Sequence, residues 1–260
     1  MPRLARDVAT VFSREIAPEL RSPVGIVLSM GQPLLFLVLF GSMLAGTGAN
    51  LGAGTGDVWQ WFVPGILVMM CLMGPLSAGH GLLGELNGGQ MERFLVTPVS
   101  RTSLVLGRTA KDAATLFAQA VLITVVALPL GMSLHLPGAL ATIALLIILA
   151  VGLSALSCVL AISSRPDGNL FWLVTQMLIF PVMMLSGILL PVDAGPGWLS
   201  AVAAINPVTY VVDAARALFA GDFLNASVLH GLIAATALAT TGLILSTRAM
   251  KRCGRPMGSA

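Results

Sequence analysis

Charged side chains are scarce in this sequence of 260 residues, of which only 10% are charged and 57% are hydrophobic. A soluble domain carries about 25% charged residues, because water has to solvate its surface. The deficit therefore excludes a soluble globular enzyme. The high hydrophobic fraction excludes a disordered chain as well, since disordered chains are poor in apolar residues. With a mean hydropathy of +0.93, the composition is that of an all-α membrane protein that crosses the bilayer several times.

Cysteine and lysine are rare as well. The three cysteines, Cys71, Cys158 and Cys253, are too scattered for a disulfide framework or a metal site with regular ligand spacing. The only lysines are Lys111 and Lys251, and neither stands in the G-x-x-x-x-G-K-[ST] pattern that binds nucleotide phosphates. The chain therefore has no P-loop with which to hydrolyse ATP. We expect neither a metal nor a cofactor within it.

Six windows of the sequence lack Lys, Arg, Asp and Glu over about the 20 residues that a helix needs to cross the hydrocarbon core. They predict six transmembrane spans, at residues 24–44, 58–79, 113–131, 138–162, 170–190 and 228–247. Because no charged side chain lies in these windows, the sequence offers no proton relay or ion site. A transporter driven by a proton or sodium gradient is therefore disfavoured.

The basic residues fall almost entirely on one side of the predicted spans. Only Arg216, of the 14 Lys and Arg residues, lies on the other side. The positive-inside rule places the basic side, including the tail at residues 248–260, in the cytoplasm. Both termini are therefore predicted to be cytoplasmic, which six spans allow. The preference for Arg over Lys, with abundant Ala and Gly, favours the cytoplasmic membrane of a bacterium.

Residues 1–22 are predicted to form an amphipathic helix that lies in the membrane interface. Leu4 and Val8 fall on an apolar arc, and arginines fall on the opposite arc. Glu15 falls on the apolar arc, as Glu19 would, and Pro18 is expected to end the helix. These carboxylates either stay solvated beside the membrane or face a protein partner.

Residues 80–112 are predicted to form a cytoplasmic segment between spans two and three. Gly88 and Gly89 break the helix that leaves span two, and a short helix over residues 90–96 ends at Thr97 before Pro98. The segment exposes apolar and charged side chains together, which is typical of an element that docks on a soluble protein. An ordinary loop is the alternative.

Residues 191–225 are predicted to contain one short helix on the outer side. Asn206 suits its N-cap, Pro207 suits its first turn, and Gly221 suits the position after its end. At about 21 Å this helix is too short to span, so we expect it to be re-entrant or interfacial. Asp213 and Arg216 are three residues apart and are expected to pair.

Two strings of the sequence resemble the ABC-2-type permeases, with daunorubicin-resistance-like export permeases as the nearest group. They are GGQMERFLVTPVSRTSLVLGR at residues 88–108 and NPVTYVVDAARALFAGDF at residues 206–223. The resemblance covers nearly the whole chain and implies a single transmembrane domain over residues 1–260. It implies pairing with a cytoplasmic ATP-binding-cassette ATPase that holds ATP and Mg, and with a second permease copy or paralogue. It further implies export of amphipathic drug-like, polyketide or lipid molecules, with no role for nucleic acid.

The resemblance also implies which residues contact the ATPase. The segment between spans two and three becomes a coupling helix, and its candidate surface consists of Glu85, Gln90, Met91, Glu92, Arg93, Phe94, Leu95, Thr97, Pro98 and Arg101. The N-terminal helix adds candidate contacts at Arg6, Arg14, Glu15 and Glu19.

Methionines are concentrated on spans two and five. Methionine is flexible and polarizable, and it recurs at promiscuous binding surfaces. We therefore expect a hydrophobic substrate route that is lined by Met69, Met73, Trp172, Met177, Phe180 and Met184. Packing in the core or against membrane lipid is the alternative for the same side chains.

Two other functional classes stay open from the sequence. A structural or assembly protein of the membrane would need no energy source. An intramembrane enzyme would need reactive side chains at matching depth, and Ser186 with His230 is the pair that the spans offer for a serine protease.

Overall fold

The computed structural model of the chain describes residues 2–21, 23–47, 58–88, 101–164, 168–189 and 196–253, and the regular elements in these ranges are all helical. A 3-10 turn, Leu128–Leu130, continues the fourth helix. The helices are α1 (Pro2–Arg21), α2 (Pro23–Thr47), α3 (Val58–Asn87), α4 (Arg101–Ala127), α5 (Leu136–Ser163), α6 (Gly168–Leu185), α7 (Gly197–Ile205), α8 (Pro207–Phe219) and α9 (Ala226–Cys253). The predicted all-α class is confirmed for this part of the chain.

Several helices have the length and composition of membrane spans. Across the described ranges there are 5, at Val58–Gly84, Ser103–Leu130, Leu136–Ser163, Gly168–Leu185 and Ala226–Met250. They coincide with predicted spans two to six. The first predicted span lies within α2, a 25-residue helix whose described apolar stretch is Met30–Met43. The fold is therefore that of a multi-pass helical membrane protein.

Besides these long helices, the short helices α7 and α8 form a bent pair. α7 and α8 meet at an angle of 92°, as in a broken span or a re-entrant loop. The sequence predicted α8 with its N-cap, Asn206, whose side chain accepts a hydrogen bond from Val208 N at 3.1 Å. It also predicted the left-handed residue beyond the helix end, Gly221, at φ 83°. The nine-residue α7 was not predicted.

The centre of the bundle is α5, which packs against α3, α4 and α9. Its contact with α9 is close because small residues face each other. A Cβ atom on Gly152 would lie only 2.7 Å from the backbone nitrogen of Ala239, and one on Gly242 would lie 2.6 Å from the carbonyl oxygen of Gly152. Backbones can approach in this way only where side chains are small.

The two ends of the bundle differ in charge. The end called here the basic end contains α1, the last turns of α3, α5 and α9, and the first turns of α4 and α6, and it carries Arg108, Lys111 and Arg248. The opposite end contains α7, α8 and the turn between α4 and α5. Arg216 lies at this opposite end, so the described basic residues are distributed between the two ends as the sequence predicted.

Pro18 does not end the N-terminal helix, contrary to the sequence prediction. α1 continues through Pro18 to Arg21. The side chain of Pro18 is exposed, so the proline ring does not have to fit into the core. Contacts of α1 with α4 hold the helix, and tertiary packing commonly outweighs local propensity.

The fifth span also ends earlier than predicted. α6 stops at Leu185, whereas the apolar window runs to residue 190. Gly187 adopts a left-handed conformation with φ 69°, which turns the chain out of the helix.

Replacing Gly152 by leucine should destabilise the protein, because the new side chain would force α5 and α9 apart. Overpacking of this kind costs about 1–3 kcal/mol. Chemical unfolding in detergent measures the loss. Gly74→Leu on α3 is the matched control, because nothing lies within 4 Å of a Cβ at that position. Equal losses for the two variants would contradict the packing account.

Candidate functional site

Side chains of three helices form two ion pairs and one hydrogen bond at the basic end. Arg108 Nη2 of α4 lies 3.2 Å from Glu15 Oε1 of α1, and Lys111 Nζ lies 3.1 Å from Asp112 Oδ1. Ser154 of α5 donates a hydrogen bond to Asp112 Oδ2. Arg108 and Asp112 are only 8% and 7% exposed. Buried charges need partners, so the Arg108–Glu15 pair joins α4 to α1 and the Ser154–Asp112 hydrogen bond joins α4 to α5.

Most of the predicted coupling surface lies outside the described residues. This holds for Gln90, Met91, Glu92, Arg93, Phe94, Leu95, Thr97 and Pro98. Glu85 lies near the end of α3, and Arg101 begins α4. The predicted break is confirmed, since α3 ends at Asn87 and Gly88 N donates to Gly84 O at 2.8 Å. The two flanking helices thus bring both ends of the segment to the basic end of the bundle.

The N-terminal candidates fall into two groups. Arg6 and Arg14 are exposed along α1, and Glu19 lies one turn beyond Glu15. Glu15, by contrast, is directed at Arg108 and its side chain is 21% exposed. Its Oε1 atom makes the ion contact without a well-oriented hydrogen bond. The carboxylate therefore contacts α4 of the same chain.

The structure separates the residues of the predicted substrate route. Met69 is fully buried in the main core, and Met73 packs half-buried against it. Trp172, Met177, Phe180 and Met184 are instead exposed on α6, with Met177 exposed to 73%. A shallow, open depression, called here the groove, follows this helix and is lined by its own residues Asn169, Trp172, Leu173, Gln176, Met177, Phe180 and Pro181. It combines a long apolar wall with two side-chain amides.

An aromatic contact at the basic end of this groove was not predicted. The ring of His80, on α3, lies 4.9 Å from that of Trp172 and 6.2 Å from that of Phe171. The contact joins residues that are far apart in the sequence, so no local sequence pattern predicts it. It places an imidazole ring beside the groove.

Polar side chains of α8 bind the free carbonyl groups at the end of α6. Asn206 Nδ2 donates to Val182 O at 3.1 Å and to Ser186 Oγ at 2.9 Å. Thr209 Oγ1 lies 3.4 Å from Leu185 O, and its shorter hydrogen bond, at 3.0 Å, goes to Ala203 O of α7. The last carbonyls of a helix lack partners within it, so α8 serves as a C-terminal cap for α6.

Arg216 extends this cap to α3. Its Nη2 donates to Gly187 O at 2.7 Å and its Nε to Trp61 O at 3.4 Å, while the guanidinium carbon lies 3.7 Å from the centroid of the Trp61 ring. Beside it, Gln60 Nε2 donates to Phe219 O at 2.7 Å. The sequence predicted only pairing with Asp213. The arginine also joins α3, α8 and the turn after α6.

The pair considered for an intramembrane enzyme has other roles in the structure. Ser186 donates to Val182 O and accepts from Asn206. His230 lies with its ring 6.2 Å from that of Tyr210. The serine hydroxyl is thus part of the cap on α6.

These features define a class: a multi-pass helical membrane protein with ion pairs that join helices at one end and a sharply bent helix pair at the other. Residues 6–220 match the family described as ABC-2 type transporter, and the chain belongs to that family. This match confirms the resemblance to the ABC-2-type permeases that the sequence analysis found.

Individual relatives agree with this assignment. The chain is 28% identical over 239 residues to a protein of Porphyra purpurea named as a transport permease, ycf38, which covers 86% of this chain and 81% of that protein. It is 25% identical over 207 residues to the daunorubicin resistance ABC transporter permease protein DrrB1 of Streptomyces coeruleorubidus, covering 76% and 70%. These names confirm the prediction of a transport permease.

Replacing Arg216 by lysine should destabilise the protein although it keeps the charge. An ammonium group lacks the planar fork that binds several carbonyls and stacks on tryptophan, and hydrogen bonds of charged groups contribute about 1.5–3 kcal/mol each. Thermal unfolding in detergent measures the effect. Arg248→Lys, the same change at an exposed position of α9, is the control. Unchanged stability of Arg216→Lys would show that these contacts contribute little.

Proposed function

We propose that this chain is the permease subunit of an ATP-binding-cassette exporter, driven by ATP that a separate cytoplasmic subunit hydrolyses. The observation that carries the proposal is that a member of the ABC-2 transporter family has no P-loop in its sequence. Its predicted spans also lack the charged residues that a gradient-driven carrier would use. The energy for transport therefore comes from another polypeptide. The Streptomyces relative, whose name describes an ABC transporter permease, supports this proposal.

The basic end of the bundle faces the cytoplasm in this proposal. The arginines of α1, α4 and α9 favour that orientation by the positive-inside rule. α2, α3, α4, α5, α6 and α9 then form six spans with both termini inside, and α7 and α8 enter the outer side. The ATPase docks on residues 89–100, because α3 and α4 bring both ends of that segment to the cytoplasmic side.

The substrate is an amphipathic molecule, such as a drug-like compound, a polyketide or a lipid. The groove along α6 supports this class, because its wall is apolar and its polar groups are amides. The named role of the Streptomyces relative in daunorubicin resistance supports it too. A second permease, identical or paralogous, completes the route by covering the exposed face of α6.

Phe94→Ala and Arg93→Glu should uncouple ATP hydrolysis from transport, because both alter the side chains proposed to contact the ATPase. The permease and a co-expressed ATP-binding-cassette ATPase are purified together, and transport per ATP is measured in vesicles. Arg252→Glu, a charge reversal in the C-terminal tail, controls for charge alone. Normal transport per ATP in both variants would place the coupling contact elsewhere.

Met177→Ala and Phe180→Ala should change which substrates are exported, since both side chains line the groove. We expect efflux of bulky apolar compounds to fall by about tenfold, because losing an apolar contact with the bound substrate costs about 1–3 kcal/mol. Leu178→Ala is the matched control, because Leu178 is 51% exposed on α6 but does not line the groove. If all three variants behave as wild type at equal protein level, the groove is not the route.

A further inference from the structure

Contacts with α5 determine the direction in which α8 runs. Gly138, in the first turn of α5, lies against the carbonyl oxygen of Leu218. Thr142, one turn further along α5, lies with its Oγ1 atom 3.5 Å from Ala215 O. A step forward along α5 thus corresponds to a step back along α8, so the two helices run nearly antiparallel. Because α5 begins at the end of the bundle opposite the basic end, the N-terminal end of α8 lies deeper in the bundle than its C-terminal end.

The direction of α8 places α7 at a depth within the bilayer. From Leu218 back to Pro207, α8 rises about 16 Å, at about 1.5 Å per residue. The hydrocarbon core is about 30 Å thick, whereas α5, with 28 residues, is about 42 Å long and extends beyond it. α7 precedes the N-terminal end of α8 and meets it at 92°. α7 therefore runs across the spans, within the leaflet opposite the basic end.

The surface of α7 fits hydrocarbon better than water. Its sequence, GWLSAVAAI, contains no charged side chain, and Ser200 is its one polar side chain. Ala203 is the one buried residue of this helix, whereas Trp198 and Ile205 are exposed to 66% and 82%. A helix that is apolar on all sides is stable when protein buries it or when membrane surrounds it. The described residues do not bury α7, so its surface indicates a lipid environment.

Neighbouring groups of the protein bind the carbonyls at the C-terminal end of α7. Ala203 O accepts hydrogen bonds from Asn206 N and from Thr209 Oγ1, both at 3.0 Å. Ala204 O accepts a hydrogen bond from the hydroxyl of Tyr210 at 2.7 Å. Water satisfies such carbonyls at the end of a solvated helix, whereas in hydrocarbon the protein itself has to supply the donors. The two hydroxyl groups of α8 take this role here.

We propose that α7 is embedded in the leaflet opposite the basic end, where the acyl chains of membrane lipids cover Trp198 and Ile205. The surface of α7 is continuous with the membrane-facing surface of α9. Tyr210, which binds Ala204 of α7, lies with its ring 6.2 Å from that of His230 on α9. The next residue of that span, Leu229, is an exposed apolar side chain. The proposal requires a membrane protein, but it does not require an ATPase subunit.

Fluorescence quenching of the full chain in phosphatidylcholine vesicles tests the proposal. Ile205→Cys in a Cys253→Ser background is labelled with a fluorophore, while the other two cysteines are buried. We expect nitroxide groups on the lipid acyl chains to remove most of the fluorescence, and iodide in the water to remove little. Asp222→Cys, at an exposed position of the turn after α8, is the control. Its label should show the reverse, because a charged residue there lies in water.

Two results would overturn the inference. Quenching of the label at position 205 by iodide, to the same extent as the control, would place α7 in water. Protection of that label from both quenchers would show that a protein surface, such as a second copy of this chain, covers α7. Val202→Cys, at another exposed position of α7, repeats the measurement in case Ile205→Cys does not fold. Neither result depends on transport, so failure of this inference would leave the proposed function unaffected.

Discussion

Polar groups that leave water must find partners inside the protein, and this requirement shapes the whole chain. In hydrocarbon an unpaired backbone group costs several kcal/mol, so the spans are helices. The requirement is strictest where helices end. At the end of α6, Asn206 binds the carbonyl of Val182, and Arg216 binds that of Gly187 in the turn that follows. Contacts with carbonyl groups at the end of α6 thus hold the N-terminal end of α8 in place.

The two ends of the bundle meet this requirement with different chemistry. The basic end pairs charges of opposite sign, Glu15 with Arg108 and Lys111 with Asp112. The opposite end uses one arginine between backbone carbonyls and the Trp61 ring. α6 passes between these ends with its outer face uncovered by the described residues. Polar contacts hold the helices together at both ends of the bundle, and one face of α6 stays exposed between them. This arrangement suits a subunit that works with partners.

Local features were predictable from the sequence, and distant contacts were not. The spans followed from apolar length, and the cap of α8 followed from Asn206, Pro207 and Gly221. The contact of Glu15 with Arg108 and that of Arg216 with Trp61 join residues far apart in the chain, which no local pattern encodes. Pro18 misled the prediction because docking on α4 outweighed its local effect. The burial of Met69 and the exposure of Met177 could not be told apart from the sequence, because a buried and an exposed methionine have the same local pattern.

The central claim is that this permease obtains its energy from a second subunit. The most direct test is uphill transport into sealed vesicles that contain the purified chain, alone or together with its ATP-binding-cassette ATPase. We predict that ATP drives accumulation of a hydrophobic dye only when both subunits are present. Accumulation against a gradient by the chain alone, at the same protein density and in the presence of ATP, would contradict the account.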